Sequence, residues 1–446
     1  MAANGETRAL GVIVCTALVV GNTIGMGIFM MPASLAPFGL NALPAWLITA
    51  AGCIFIAWVF AGLARSFPDD DGPYAYASRA FGNGIAFILL WCYWVSTFLT
   101  NATIAIALSG YLSSFFPVLG SNRWLAAIVA LALLWLFVLI NLRGVRTAGG
   151  VQVVSTVLKL LPQVAIVALG VWELLLAPHA RQHLQLPTTP LSLSGLMGAS
   201  AVALFAMLGV ESAAMPAGRV RDPARTIPRA TFAGTLIVAV IYICISMVPL
   251  LLIPQSELAV SNAPFADLFA RFGGAGSGKL LAAFVIISGL GALNGWTLIL
   301  GELTVSFARH GGFPPSLGKL NAQGAPTRAL VLTGLLASAM LLINCNDSTA
   351  GIFTFLSEVV TAANLPMYIG CALAVVALWR SGRIAQPTAR DLRWIAAALV
   401  ATVYCIWVFI GMGAKPFLWA LLLGAAGIPV YWWYALRREA VAAPST

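Results

Sequence analysis

Charge is what this chain has least of. Among 446 residues there are 24 Lys and Arg, 14 Asp and Glu and three His, so charged side chains make up only 9%. A water-facing surface carries roughly 25–35% charged residues, which excludes a soluble globular protein. The three histidines (His179, His183, His310) lie in loops. The seven cysteines (Cys15, Cys53, Cys92, Cys244, Cys345, Cys371, Cys405) lie mostly within apolar runs and form no close pair. That spacing excludes a metal cluster or a redox dithiol and leaves small packing residues. No His/Asp/Glu or Ser/Lys grouping suggests a catalytic membrane enzyme. One phosphate-loop fragment, Gly273 to Lys279, is followed by Leu280 where magnesium binding needs Ser or Thr, and no strand precedes it. Neither an enzyme, a metal nor a cofactor is expected.

What is abundant is hydrocarbon. Hydrophobic residues make up 61% and mean hydropathy is +0.95, the composition of a polytopic membrane protein. Twelve apolar segments approach the roughly 20 residues a spanning helix needs. They cover 10–36, 42–66, 83–114, 124–142, 151–176, 194–217, 231–253, 279–307, 328–345, 352–379, 393–412 and 417–436. The first exceeds a signal-peptide core and lacks a clear cleavage site, so it is read as retained. With the N-terminus inside, 18 of the 24 basic residues fall on the cytoplasmic side. Only Arg123, Arg181, Arg271, Lys279 and Lys415 fall outside. This positive-inside bias puts both termini in the cytoplasm. It also explains the +10 net charge without nucleic acid as a partner.

Two apolar segments are interrupted by small-residue, glycine-bearing runs: Gly21-Asn22-Thr23-Ile24-Gly25-Met26-Gly27 and Leu208-Gly209-Val210-Glu211-Ser212. Hydrocarbon does not tolerate unpaired backbone groups, so unwound helix at that depth must line protein or a polar cavity. The interruptions fall in segments one and six, five segments apart. If 10–176 and 194–379 are repeats of five helices each, the odd number inverts one against the other. The two broken helices then meet near the midplane, where transporters hold substrate. The pair at 393–436 lies outside this core. Free amides near Met26 and Gly27 suit a carboxylate, and free carbonyls near Phe205 to Leu208 suit an ammonium. An amino acid head group fits that pair of ends.

Four ionisable side chains fall within apolar segments: Lys159, Glu211, Glu302 and Glu358. Each costs about 2.5–3.5 kcal/mol at a helix centre on insertion scales, so each needs a cavity or a partner. Glu211, inside the second break, is read as coupled to substrate or gating, with structural pinning of the unwound backbone as the alternative. Trp296, beside Gly295, offers a face to a cationic group; core packing is the alternative. Tyr93 and Phe205 could close the site from either side.

Gly21 to Phe29, Gly72-Pro-Tyr-Ala-Tyr-Ala77, Gly209-Val-Glu211-Ser212, Ile227-Pro-Arg229 and Gly312-Phe-Pro-Pro315 resemble the amino acid–polyamine–organocation transporters over almost the whole chain. Gly110 to Pro117, Gly295-Trp296-Thr297, and Tyr404 to Trp407 with Gly411 to Lys415 are similar to the bacterial basic amino acid/polyamine antiporters, above all the arginine/agmatine exchangers. The resemblance implies an all-α fold of 12 transmembrane helices, a five-plus-five inverted repeat plus two, with helices one and six broken. By matched motif, Asn22, Ile24, Gly25, Met26 and Gly27 would cradle the carboxylate. Phe205 and Leu208 would offer carbonyls to the amino group. Trp296 would stack on a cationic side chain whose pocket is lined by Ser96, Thr97 and Asn101. Tyr93 would act in gating and Glu211 in coupling.

This chain departs from the arginine exchangers in four places. Phe205 stands where they have Trp, and Met26 and Val359 where they have Ser. Lys159 resembles proton-coupled relatives in which a lysine takes the place of a sodium ion. Glu358 could read a primary ammonium, as in lysine, ornithine, putrescine or cadaverine. The expected protein is therefore a bacterial inner-membrane exchanger of basic amino acids and amines, a homodimer by resemblance. The rival is a proton-coupled amino acid uptake permease of broader specificity.

Overall fold

The computed structural model describes residues 11–67, 72–143, 159–178, 180–210, 220, 222–309, 312–383 and 389–433. These residues form helices and connecting turns. The first half contains α1 (Val12–Thr23), α2 (Gly27–Leu35), α3 (Ala42–Ser66), α4 (Pro73–Phe81), α5 (Asn83–Leu112), α6 (Arg123–Leu142) and α7 (Leu161–Val171). The second contains α8 (Leu193–Ala206), α9 (Pro223–Leu252), α10 (Pro264–Arg309), α11 (Thr327–Ile343), α12 (Thr349–Arg380), α13 (Ala389–Gly411) and α14 (Ala414–Ala425).

Among the described residues, eight helical runs are long and apolar enough to cross a membrane, and three shorter apolar helices accompany them. The difference from twelve segments has local causes. Segment one is divided between α1 and α2, and α2 continues through a 3-10 turn (Ala36–Asn41) into α3. Gly39 in that turn has φ 53°, a left-handed torsion that favours glycine. Residues 151–158 and 211–217, parts of segments five and six, lie outside the described residues.

α5 and α12 form the most buried part of the bundle and pack along each other; α14 is the least buried spanning run. Lipid tails are as apolar as the helices, so packing rather than the hydrophobic effect holds such helices together. Small residues let them approach. At Gly62 on α3, an added Cβ would stand 2.2 Å from the Trp394 ring of α13.

The glycine run that resembled part of a phosphate loop has a structural role in α10. Gly274 has φ 82° and kinks the helix there. An added Cβ at Gly278 would stand 2.6 Å from the Ala266 carbonyl. The run is an elbow between a short helix and the long spanning one.

Candidate substrate site

The first break is narrower than the run that encodes it. α1 continues through Gly21 and Asn22 to Thr23; Ile24 turns extended (φ −71°, ψ 93°), and Gly27 already begins α2. The carbonyls at the end of α1 are taken by side chains from two other helices. Lys159 Nζ, just before α7, donates to the Gly21 carbonyl and, at 3.0 Å, to the Ile24 carbonyl. The Tyr242 hydroxyl on α9 donates to the Thr23 carbonyl at 2.8 Å. A helix C-terminus carries partial negative charge and unpaired carbonyls, so an ammonium there answers both. Lys159 is only 3% exposed.

The second break follows Ala206. Met207, Leu208 and Gly209 form a turn in which Gly209 has φ 106°. Leu208 N–H donates to the Phe205 carbonyl at 3.3 Å. Glu211 and Ser212 lie outside the described residues.

Between the breaks is a small cavity of about 20 Å³, room for about one water molecule. Gly25, Met26 and Gly27 line it from the first break, Phe205 and Leu208 from the second, and Trp296 from α10. Thr23, Ala206, Thr100 and Ile104 complete the wall. Ile24 is buried in the core instead. Asn22 is helical in its backbone. Ser96, Thr97 and Asn101 are buried on α5, but Thr100 and Ile104 supply that helix's part of the lining. The Ser96 and Thr97 hydroxyls donate to the Tyr93 carbonyl at 2.7 and 2.8 Å, and the Asn364 amide reaches Ser96 Oγ at 3.4 Å. The rotation of α5 makes the difference: positions 97 and 101 lie three residues before 100 and 104, about 60° round the helix.

Gly27 faces the Phe205 ring so closely that an added Cβ would stand 2.9 Å from Cε1. Phe353 on α12 holds that ring from another side, edge to face at 5.7 Å. Gly27→Ala should therefore cost ~1 kcal/mol in substrate binding, about fivefold in half-saturating concentration, through overpacking. Counterflow should show recovery in the double variant Gly27→Ala, Phe205→Leu. A single variant with parental kinetics would refute the contact's importance.

Near the start of α5 and the end of α10, the bundle is filled with rings. Phe307 and Phe313 meet at 4.5 Å, Trp94 and Phe313 at 5.0 Å, and Phe87 and Phe307 at 5.0 Å between centroids. Trp94 Nε1 donates to Thr304 Oγ1 at 2.8 Å, tying α5 to α10. Tyr93 is buried beside this seal and two turns along α5 from Thr100. Glu302, exposed on α10, and Glu358, half-buried on α12, do not line the cavity. Glu358 lies one turn beyond Thr354, whose hydroxyl is 2.7 Å from Ser34 Oγ at the end of α2.

The sequence reading missed Thr23, Thr100, Ile104 and Tyr242. Thr100 had a signal, since it continues the Ser96/Thr97 polar face at helical spacing. Tyr242 had none, because its partner is a backbone carbonyl.

Residues 10–434 match the Amino acid permease family. The chain is 31% identical over 422 residues to the cadaverine/lysine antiporter of Escherichia coli strain K12, covering 92% of this chain and 91% of that one. It is 33% identical over 397 residues to a putative arginine/ornithine antiporter of Bacillus subtilis strain 168, covering 82% and 84%. It is 28% identical over 429 residues to the putrescine transporter PotE of E. coli K12, covering 96% of each. The chain belongs to the amino acid permease family and is a multi-pass membrane transporter of amino acids or polyamines, not an enzyme.

Proposed function

We propose that this protein exchanges basic amino acids for related amines across the bacterial inner membrane by alternating access. The observation that carries the reading is the cavity in which both helix breaks and Trp296 meet. At one end, the start of α2 has no side-chain cap, so its amides are available to an α-carboxylate. The end of α8 presents carbonyls to an α-ammonium. Trp296 then lies against a cationic side chain or the second ammonium of a diamine. Relatives named for cadaverine and lysine, arginine and ornithine, and putrescine favour this substrate class.

In this reading residues 10–176 and 194–379 are inverted repeats and 393–436 is an added helix pair. Both termini are cytoplasmic, and the protein works as a homodimer. Tyr93 and the aromatic seal beside it form the inner gate. Glu211 couples substrate to that gate. Glu358 sits where α12 and α2 must part for entry from outside, a place suited to selecting cations. Lys159 holds the first break and gives the cycle a proton-dependent element, which also keeps the proton-coupled uptake permease as a second reading.

The test is counterflow in proteoliposomes with labelled lysine, ornithine, arginine, putrescine, cadaverine and neutral amino acids. Exchange restricted to the cationic compounds, with uptake needing a loaded lumen, is expected. Uptake into empty vesicles driven by a proton gradient would overturn exchange in favour of the permease.

A further inference from the structure

Gln163 is a buried amide that the site described so far does not use. It is 2% exposed, and among the described residues neither its Oε1 nor its Nε2 has a hydrogen-bond partner. Burying an unpaired amide is costly in a medium that offers it no hydrogen bonds. Such a group in a native interior calls for an explanation.

Its position supplies one. Leu160 has right-handed helical torsions, and Val164 N–H bonds the Leu160 carbonyl at 3.1 Å. Lys159 therefore precedes Gln163 by about one helical turn. Gly170 lies seven residues further along the same face, and its position abuts Val248 of α9, 2.3 Å from where a Cβ would be. Counting back the same two turns on α9 brings Gln163 to the level of Tyr242, the residue that holds Thr23.

Lys159 itself is incompletely satisfied. An ammonium has three N–H donors, and two go to the Gly21 and Ile24 carbonyls. Among the described residues no acceptor is recorded for the third. A spare donor and a spare carbonyl, buried one turn apart, are suited to a single bridging water, which makes two to four hydrogen bonds in such places.

We propose that Gln163 is a positioning residue for Lys159, its Oε1 accepting from a water that accepts the third Lys159 N–H. The bridge stabilises the charged form of Lys159 and is the route by which its proton leaves. When the proton passes to that water and onward, Lys159 keeps the N–C bond and becomes an amine, and its hold on the Gly21 and Ile24 carbonyls weakens. Other titratable groups on the packed elements are few. α1 carries Cys15, and α9 carries Tyr242 on this face, Cys244 exposed, and Arg225 and Arg229 at its cytoplasmic start. α10 has no ionisable side chain from 280 to 301. The proposal rests on Lys159 as the holder of the first break, but not on the identity of the substrate.

The experiment is exchange of labelled lysine in proteoliposomes as a function of pH, on the full chain and on Gln163→Leu and Gln163→Glu. The leucine variant should move the alkaline limb of the profile down by about one pH unit, as expected for losing one hydrogen bond to a charged group. The glutamate variant should move it up, since a carboxylate favours the ammonium. Half-saturation by lysine at pH 6 should stay within about twofold, because Gln163 does not line the cavity; a fall in rate without a moved limb means structural damage and overturns the proposal. An alkaline limb that both variants leave in place overturns it alone. A parental profile with no alkaline limb overturns the Lys159 reading together with it. Should the leucine variant not fold, the upward move in the glutamate variant decides.

Discussion

Trp296→Ala is expected to raise the half-saturating concentration of a cationic substrate by about 10- to 30-fold, with much less effect on a neutral amino acid. The indole lines the cavity between the two breaks and is half-buried. A cation over an indole face gains about 0.5–1 kcal/mol when exposed and about 2 or more when desolvated. Each 1.4 kcal/mol is tenfold in affinity. Met26, Phe205 and Leu208 around the indole are buried, so the upper part of that range applies. Trp296→Phe keeps a ring with a weaker quadrupole and should fall between parent and alanine. Counterflow measured against substrate concentration reads both. An alanine variant with parental half-saturation for lysine would remove Trp296 from recognition and return it to packing.

The first break and the end of α8 at the second glycine-bearing run were legible because their cause is local. Only small residues and glycine permit an unwound helix, and they interrupt otherwise continuous apolar runs. Their edges were not legible: Gly21 and Asn22 remain helical because bonds to preceding carbonyls persist until Ile24 turns extended. Trp296, Phe205 and Leu208 were placed by matched motif, and they meet in one cavity. The rotation of α5 depends on its packing against α10 and α12. Both Ser96/Thr97 and Thr100 are polar, so sequence pattern gave no reason to prefer one side of that face. Lys159 was conspicuous as a charge within hydrocarbon, yet its acceptors are carbonyls, which leave no trace in a sequence. Glu358 was equally conspicuous, but it stands near the α2–α12 contact rather than in the cavity wall. A charge within an apolar segment indicates that something must be nearby and does not indicate what.

Lys159→Met should reduce exchange at least about 100-fold. Methionine keeps the length and apolar stem but offers no donor, so the Gly21 and Ile24 carbonyls lose the ammonium that now reaches both. Hydrogen bonds to a charged group contribute about 1.5–3 kcal/mol each, and at membrane depth the freed carbonyls have no bulk water to replace them. Tyr242 still holds Thr23, so the break should loosen rather than unfold. Two measurements on matched amounts of monodisperse protein separate the consequences. Initial counterflow rates report the cycle, and thermal stabilisation by lysine reports the cavity. Lost turnover with retained stabilisation would assign Lys159 to the movement of α1, since Met26 and Gly27 on the other side of the break still meet the substrate. Loss of both would mean that the ammonium also fixes the shape of the site. Parental rates would show that the Tyr242 contact alone secures the end of α1, and Lys159 would then have no part in the cycle.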